Sequence, residues 1–193
     1  MKKLLITGFE PFGGEVINPS WEAVSLLPEK IGEYNLTKVR IPVVFEKSAQ
    51  IVIDEAEKLC PDAIICVGQA SGRSSITPEY VAINIRNAKM PDNEGQCPSD
   101  QPIFEGGETA YFSTIPVRKI EQSLSSAGIP AQISYSAGTY VCNDVLYKLL
   151  AHFNNSDVKV GFIHVPYSKE QGKEPCMELA EIVKGLSIAI ENI

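Results

Sequence analysis

The sequence predicts an α/β protein, a single-domain three-layer α/β/α sandwich over residues 1–193 with a mostly parallel central sheet. Three observations predict it. Short, nearly continuous apolar runs over 3–8, 62–68 and 158–164 read as strands buried on both faces, the mark of a parallel sheet. Segments between them carry apolar residues at three- and four-residue spacing, which reads as helix. Strand and helix alternate along the chain with no linker, repeat or low-complexity stretch to divide it.

The first strand runs into Gly8-Phe9-Glu10-Pro11-Phe12-Gly13-Gly14. With an acid at position 10 and no Lys-Ser/Thr after its glycines, this loop is neither a dinucleotide fingerprint nor a Walker phosphate cradle. Two aromatic rings on a glycine-hinged loop at a strand's C-terminal end suit a small, partly apolar ligand. They suit plugging the core equally well. Asn18-Pro19 pairs a cap with proline at the first helical position, opening a helix through Trp21, Val24 and Leu27 that Pro28 stops. A strand over 36–44 and a helix over 46–59 follow, with Pro61 as the break. Cys66, inside strand 62–68, reads as packing.

A polar loop over 69–78 leads to Glu79 and the alternating run 80–86. Residues 87–108 hold few apolar side chains and several Pro, Gly and Asp, with Cys97 expected at the surface. An irregular segment that long in a compact domain covers a site or makes an interface. Pro116 opens a helix ending near Gly128, and residues 131–135 alternate as a strand. A small-residue turn, Ser136-Ala137-Gly138, then feeds a helix on which Val141, Val145, Leu146, Leu149, Leu150 and Phe153 share a face. His152 sits at that helix's C-terminal end, where the dipole favours a cation and no chemistry is needed to explain it. A last amphipathic helix is expected over 174–190, with Cys176 near its start.

Composition narrows the function. Hydrophobic residues at 44% and charged residues at 21% are ordinary for a globular protein. A net charge of −7 with a pI near 4.9 argues against a nucleic-acid partner, which calls for a basic face. No apolar run is long enough for a membrane-spanning helix, and the apolar start ends at Thr7-Gly8, too short for a signal peptide, so a cytoplasmic location is expected. Five cysteines without a C-x-x-C pair fit neither a disulfide framework nor a zinc ribbon. With two histidines and no ligand-spaced cluster, no metal or cofactor is expected.

Three residues have a chemical reason to meet. In open α/β sheets, sites form outside the carboxyl ends of the strands. Cys142 opens a helix directly after one expected strand, and His164 ends another, which places both on one rim. At a helix start, unpaired amides and the dipole favour a thiolate over a thiol; a small buried hydrophobe is the plainer reading of a lone cysteine. A histidine beside the thiol takes its proton and later supplies one to a leaving amine. Glu79 borders the loop after the strand ending at Gly68 and is a candidate to orient the imidazole, or a solvated strand-end carboxylate.

Five motifs stand in one order: Gly8-Phe9-Glu10-Pro11-Phe12-Gly13-Gly14 with Asn18-Pro19-Ser20; Val67-Gly68-Gln69-Ala70 with Gly72-Arg73, Glu79, Val81-Ala82 and Asn84; Pro91-Asp92-Asn93-Glu94-Gly95; Ser136-Ala137-Gly138-Thr139-Tyr140-Val141-Cys142-Asn143; and His164-Val165-Pro166. Together they closely resemble the pyroglutamyl-peptidase I family of cysteine peptidases, from residue 3 to about residue 166. The resemblance implies an exopeptidase that removes N-terminal 5-oxoproline from peptides through a thioester acyl-enzyme. Cys142 would be the nucleophile, His164 the general acid and base, and Glu79 the orienting carboxylate. It implies Phe9, Phe12, Asn18 and Gln69 beside the substrate ring, with Lys89 and Val141 completing the candidate substrate-binding set. It also implies a metal-free cytoplasmic homo-oligomer, a tetramer or dimer. Lys89 stands where the family commonly has arginine, and Tyr80 follows Glu79 where arginine is expected; lysine keeps the charge but loses the planar fork. Two rival readings are a non-peptidase enzyme on the same scaffold, such as a nucleoside phosphorylase, and a catalytically silent binder of pyroglutamyl peptides.

Overall fold

A computed structural model describes residues 1–193. In chain order the elements are β1 (Lys2–Phe9), α1 (Pro19–Leu26), β2 (Lys30–Ile31), β3 (Tyr34–Ile41), α2 (Lys47–Leu59), β4 (Ala63–Gln69), β5 (Thr77–Pro78), β6 (Val81–Ile83) and β7 (Ala110–Phe112). They continue with α3 (Val117–Ser126), α4 (Val141–His152), β8 (Lys159–Val165), β9 (Tyr167–Ser168), a 3₁₀ turn (Lys169–Gln171), β10 (Cys176–Met177) and α5 (Leu179–Glu191). The main sheet runs β2-β3-β1-β4-β8-β5. Its four long strands are mutually parallel, and two short antiparallel strands close its edges, so the sheet is mixed. One face packs Leu4, Ile6, Ile65 and Ile163 under side chains of α1, α3 and α5. The other packs Leu5, Ile64, Cys66 and Phe162 under α2 and α4. Helices therefore cover both faces, as the alternation of the sequence predicts.

Local chemistry fixes the elements. Asn18 caps α1 by accepting from the Ser20 amide at 3.1 Å, and Pro19 follows at the first helical position. Gly8 lets α1 lie directly against β1, because a Cβ there would sit 2.6 Å from the Trp21 backbone. Strand β3 ends at Ile41 rather than at 44, since Pro42 has no N–H to continue the ladder.

Three further expectations are corrected. Residues 131–135 form no named strand, although they lie in strand-like parallel register beside the segment 76–80 through the bridges Ile76–Ala131 and Glu79–Ser134. Ile76 N–H donates to Pro130 O at 2.9 Å and Tyr80 N–H to Ser134 O at 2.7 Å, but Pro78 between them cannot donate, so the ladder breaks into single bridges. The last helix starts at Leu179, not 174, because the backbone of Cys176 and Met177 pairs with Tyr167 and Ser168. Cys176 thus lies on a short strand. The alternating run 80–86 gives only β6, which pairs with β7 across the long irregular segment.

Candidate active site

A cleft of about 300 Å³ opens at the carboxyl ends of β1, β4 and β8. Its wall includes Phe9, Phe12, Asn18, Gln69, Arg73, Tyr140, Cys142 and His164. His164 follows Phe162 by two residues on β8, so both side chains face the α2/α4 layer, with ring centroids 4.7 Å apart. Opposite His164 on β4 is Gly68, where a Cβ would stand 2.8 Å from the Phe162 ring and 3.2 Å from Cys142 Sγ. The missing side chain is what lets the thiol settle against the sheet next to the histidine strand.

Glu79 is fully buried. Its amide donates to Phe162 O at 2.9 Å, which locks it beside β8. Its Oε1 takes two hydrogen bonds, from His164 Nδ1 at 2.6 Å and from Arg73 Nη1 at 2.6 Å, while Oε2 has no partner. Burial works to raise the Glu79 carboxyl, but the hydrogen bond and charge of His164, with Arg73, hold it below the ordinary carboxylate value. With Nδ1 occupied, His164 Nε2 is the ring nitrogen left without a protein partner. Arg73 Nη2 also donates to Ser136 O at 3.1 Å, tying the carboxylate to the turn that precedes α4.

Cys142 is the second residue of α4. The first intrahelical bond runs from Asp144 N–H to Tyr140 O at 3.2 Å, so the amides of Val141, Cys142 and Asn143 point out of the helix unpaired. The dipole does not win at the sulfur. Burial, reinforced by the charge of Glu79, pushes the Cys142 thiol up to about 12, against the lowering expected from its place in the sequence. No hydrogen bond joins Sγ to the imidazole in this state.

The remaining candidates divide. Phe9 and Phe12 both line the cleft, and Phe9, 2% exposed, also packs in the core, so the two readings of that ring hold together. Gln69 lines the cleft. Asn18 lines it too, but its side chain is spent on local structure: Nδ2 donates to Glu10 O at 2.9 Å and Oδ1 accepts from Ser20. Lys89 is exposed, makes no side-chain hydrogen bond and does not line the cleft. Val141 is fully buried among the core side chains on the α2/α4 face of the sheet and does not line the cleft. Arg73, Tyr140 and the pair Asn143-Asp144 are residues to which sequence reasoning assigns no role. Asn143 bonds the backbone of Ile83 at 3.0 and 2.9 Å and of Ile85 at 3.0 Å, and Asp144 accepts from Arg86 Nε at 2.6 Å and Glu46 N–H at 3.0 Å. No three His, Cys, Asp or Glu side chains converge where they could hold a metal ion.

A thiol, an imidazole and a buried carboxylate around one cleft of an α/β/α fold are the parts of a cysteine hydrolase. Comparison with known proteins makes the class specific. The family model described as pyroglutamyl peptidase matches residues 2–193. The pyrrolidone-carboxylate peptidase of Thermosipho africanus is 51% identical over 197 residues, covering 99% of this chain and 96% of that protein. That of Alkaliphilus oremlandii is 48% identical, covering 97% and 91%. Among solved structures, Bacillus amyloliquefaciens pyroglutamyl peptidase I superposes with a TM-score of 0.96 at 44% identity, covering 100% of this chain and 96% of that one. The pyrrolidone carboxyl peptidase of Thermococcus litoralis gives 0.94 at 40% identity, covering 99% and 92%. The chain belongs to the pyroglutamyl peptidase family.

Proposed function

We propose that this chain is a cysteine exopeptidase that removes N-terminal 5-oxoproline from peptides, with Cys142 as nucleophile, His164 as acid and base, and Glu79 as the orienting carboxylate. The observation that carries this reading is the pair of 2.6 Å bonds on Glu79 Oε1, which fixes His164 through Nδ1 and leaves its Nε2 without a protein partner in a cleft that Cys142 also lines. Because the resting thiol is neutral, His164 Nε2 takes its proton as Sγ attacks the pyroglutamyl carbonyl carbon. The oxyanion faces the unpaired amides at the start of α4, each such donor contributing about 3 kcal/mol to the transition state. Collapse breaks the C–N bond, Nε2–H protonates the departing amine, and a thioester remains. Water then adds to the thioester with His164 as base, the C–S bond breaks, and the proton returns to sulfur.

Specificity follows from what lines the cleft. Phe9, Phe12 and Tyr140 offer apolar faces to a flat, uncharged lactam, and Gln69 offers an amide to its polar edge. No Asp or Glu stands in the wall, while Arg73 does, so a free α-ammonium would be desolvated without a counter-charge. Replacing Cys142 by Ala is expected to abolish turnover of a pyroglutamyl-arylamide while circular dichroism is unchanged; retained turnover excludes Cys142 as nucleophile. Phosphate-dependent activity would instead favour the phosphorylase reading, and tight binding without product the silent binder. One domain over residues 1–193 and a cytoplasmic homo-oligomer, dimer or tetramer, complete the proposal. The exposed aromatic side chains of Phe112 and Tyr135 are consistent with association. Sedimentation giving only the 21.1 kDa species would remove the oligomer.

A further inference from the structure

Gln69 lines the cleft, and the structure determines which end of its amide is left free. Its Oε1 accepts from Gln171 Nε2 at 2.9 Å. Gln171 is itself fixed from behind: its Oε1 accepts the backbone N–H of Ser168 at 3.1 Å, a donor that cannot reverse. Gln171 Nε2 also reaches the Glu15 carboxylate at 3.4 Å, and Glu15 is kept ionised by Lys173 and can only accept. Both ends of Gln171 are therefore assigned by partners of fixed polarity. With the acceptor end of Gln69 taken, the end left over is its NH₂, which bonds to no protein group and is not among the sealed, unpartnered atoms.

We infer that Gln171 is a positioning residue for specificity: the relay from Ser168 N–H through Gln171 to Gln69 fixes a hydrogen-bond donor in the cleft wall, where it meets the ring carbonyl of the lactam. The inference rests on the reading of Gln69 as a substrate contact. An unfixed amide would turn and offer that carbonyl an acceptor instead. Asn18 is held by its own local bonds, with Nδ2 donating to Glu10 O and Oδ1 accepting twice from Ser20. Gln171 belongs to a 3₁₀ turn with no buried residue, so changing it leaves the core alone.

The test is steady-state kinetics on a pyroglutamyl-arylamide for Gln69→Ala, Gln171→Glu, Gln171→Met and the double variant Gln69→Ala/Gln171→Glu, each checked for an unchanged melting temperature. Glu at 171 has no donor for Gln69 and lets its amide turn, so KM is expected to rise about tenfold with kcat nearly unchanged. Met, which removes the donor without adding charge beside Glu15, is expected to raise KM less. In the Gln69→Ala background the Gln171→Glu change is expected to add nothing, because it acts only through Gln69. An unchanged KM for Gln171→Glu, a fall confined to kcat, or an additive rise in the double variant overturns the inference while leaving Gln69 as a contact. An unchanged KM for Gln69→Ala instead overturns the reading of Gln69 itself, and the relay with it.

Discussion

Cys142 and Glu79 depart in opposite directions from their usual ionisation. The thiol, raised to about 12, rests protonated, and on the proposed mechanism it loses its proton to His164 only as substrate arrives. In the free enzyme, alkylation of Cys142 by iodoacetamide, followed by peptide mass mapping, should accelerate about tenfold per pH unit between roughly pH 7 and 9. A plateau across that range would mean a preformed thiolate–imidazolium pair. Glu79 is held below the ordinary value of 4.5, so its ionised form stabilises the folded state above that pH, and the contribution is lost as pH falls through the lower folded value. Glu79→Gln should therefore be less stable at neutral pH, by about 1–3 kcal/mol in urea unfolding. Below pH 4.5 its midpoint should decline less steeply than that of the parent, and parallel curves would contradict the assignment.

Among the elements, α4 positions the site and depends on partners far along the chain. Arg86, 8% exposed, bridges Asp144 at 2.6 Å and Glu46 at 2.8 Å, and Glu46 holds the positive φ of 63° from which α2 starts. Arg86→Met leaves a fully buried Asp144 with one backbone donor, and should cost about 3–5 kcal/mol of stability by chemical unfolding. A loss below about 1 kcal/mol would mean that the pair contributes little.

The same elements show what the sequence exposes. The strands near 62–68 and 158–164 are legible because both faces are buried and their inner residues are nearly all apolar or small. His164 and Cys142 are legible because a strand's end and a helix's start define their places. Arg73 is not, since a cation in a polar loop reads like any solvated arginine, and only folding brings it 2.6 Å from Glu79. Nor are Asn143 and Asp144, whose partners lie about sixty and a hundred residues away. The alternation of 131–135 misleads because the break comes from Pro78, on the partner segment.

For the whole molecule, a sheet with its long strands parallel brings the carboxyl ends of β1, β4 and β8 to one rim, where four of the five sequence motifs line one cleft. No helix is long and apolar enough to cross a membrane. The thioester on Cys142 is the claim the rest depends on. The direct measurement is mass spectrometry of the protein quenched in acid during turnover of a pyroglutamyl-arylamide, followed by peptide mapping. The account predicts one pyroglutamyl acyl group on the peptide containing Cys142, absent from Cys142→Ala. An adduct on another residue, or full turnover by Cys142→Ala, would contradict it.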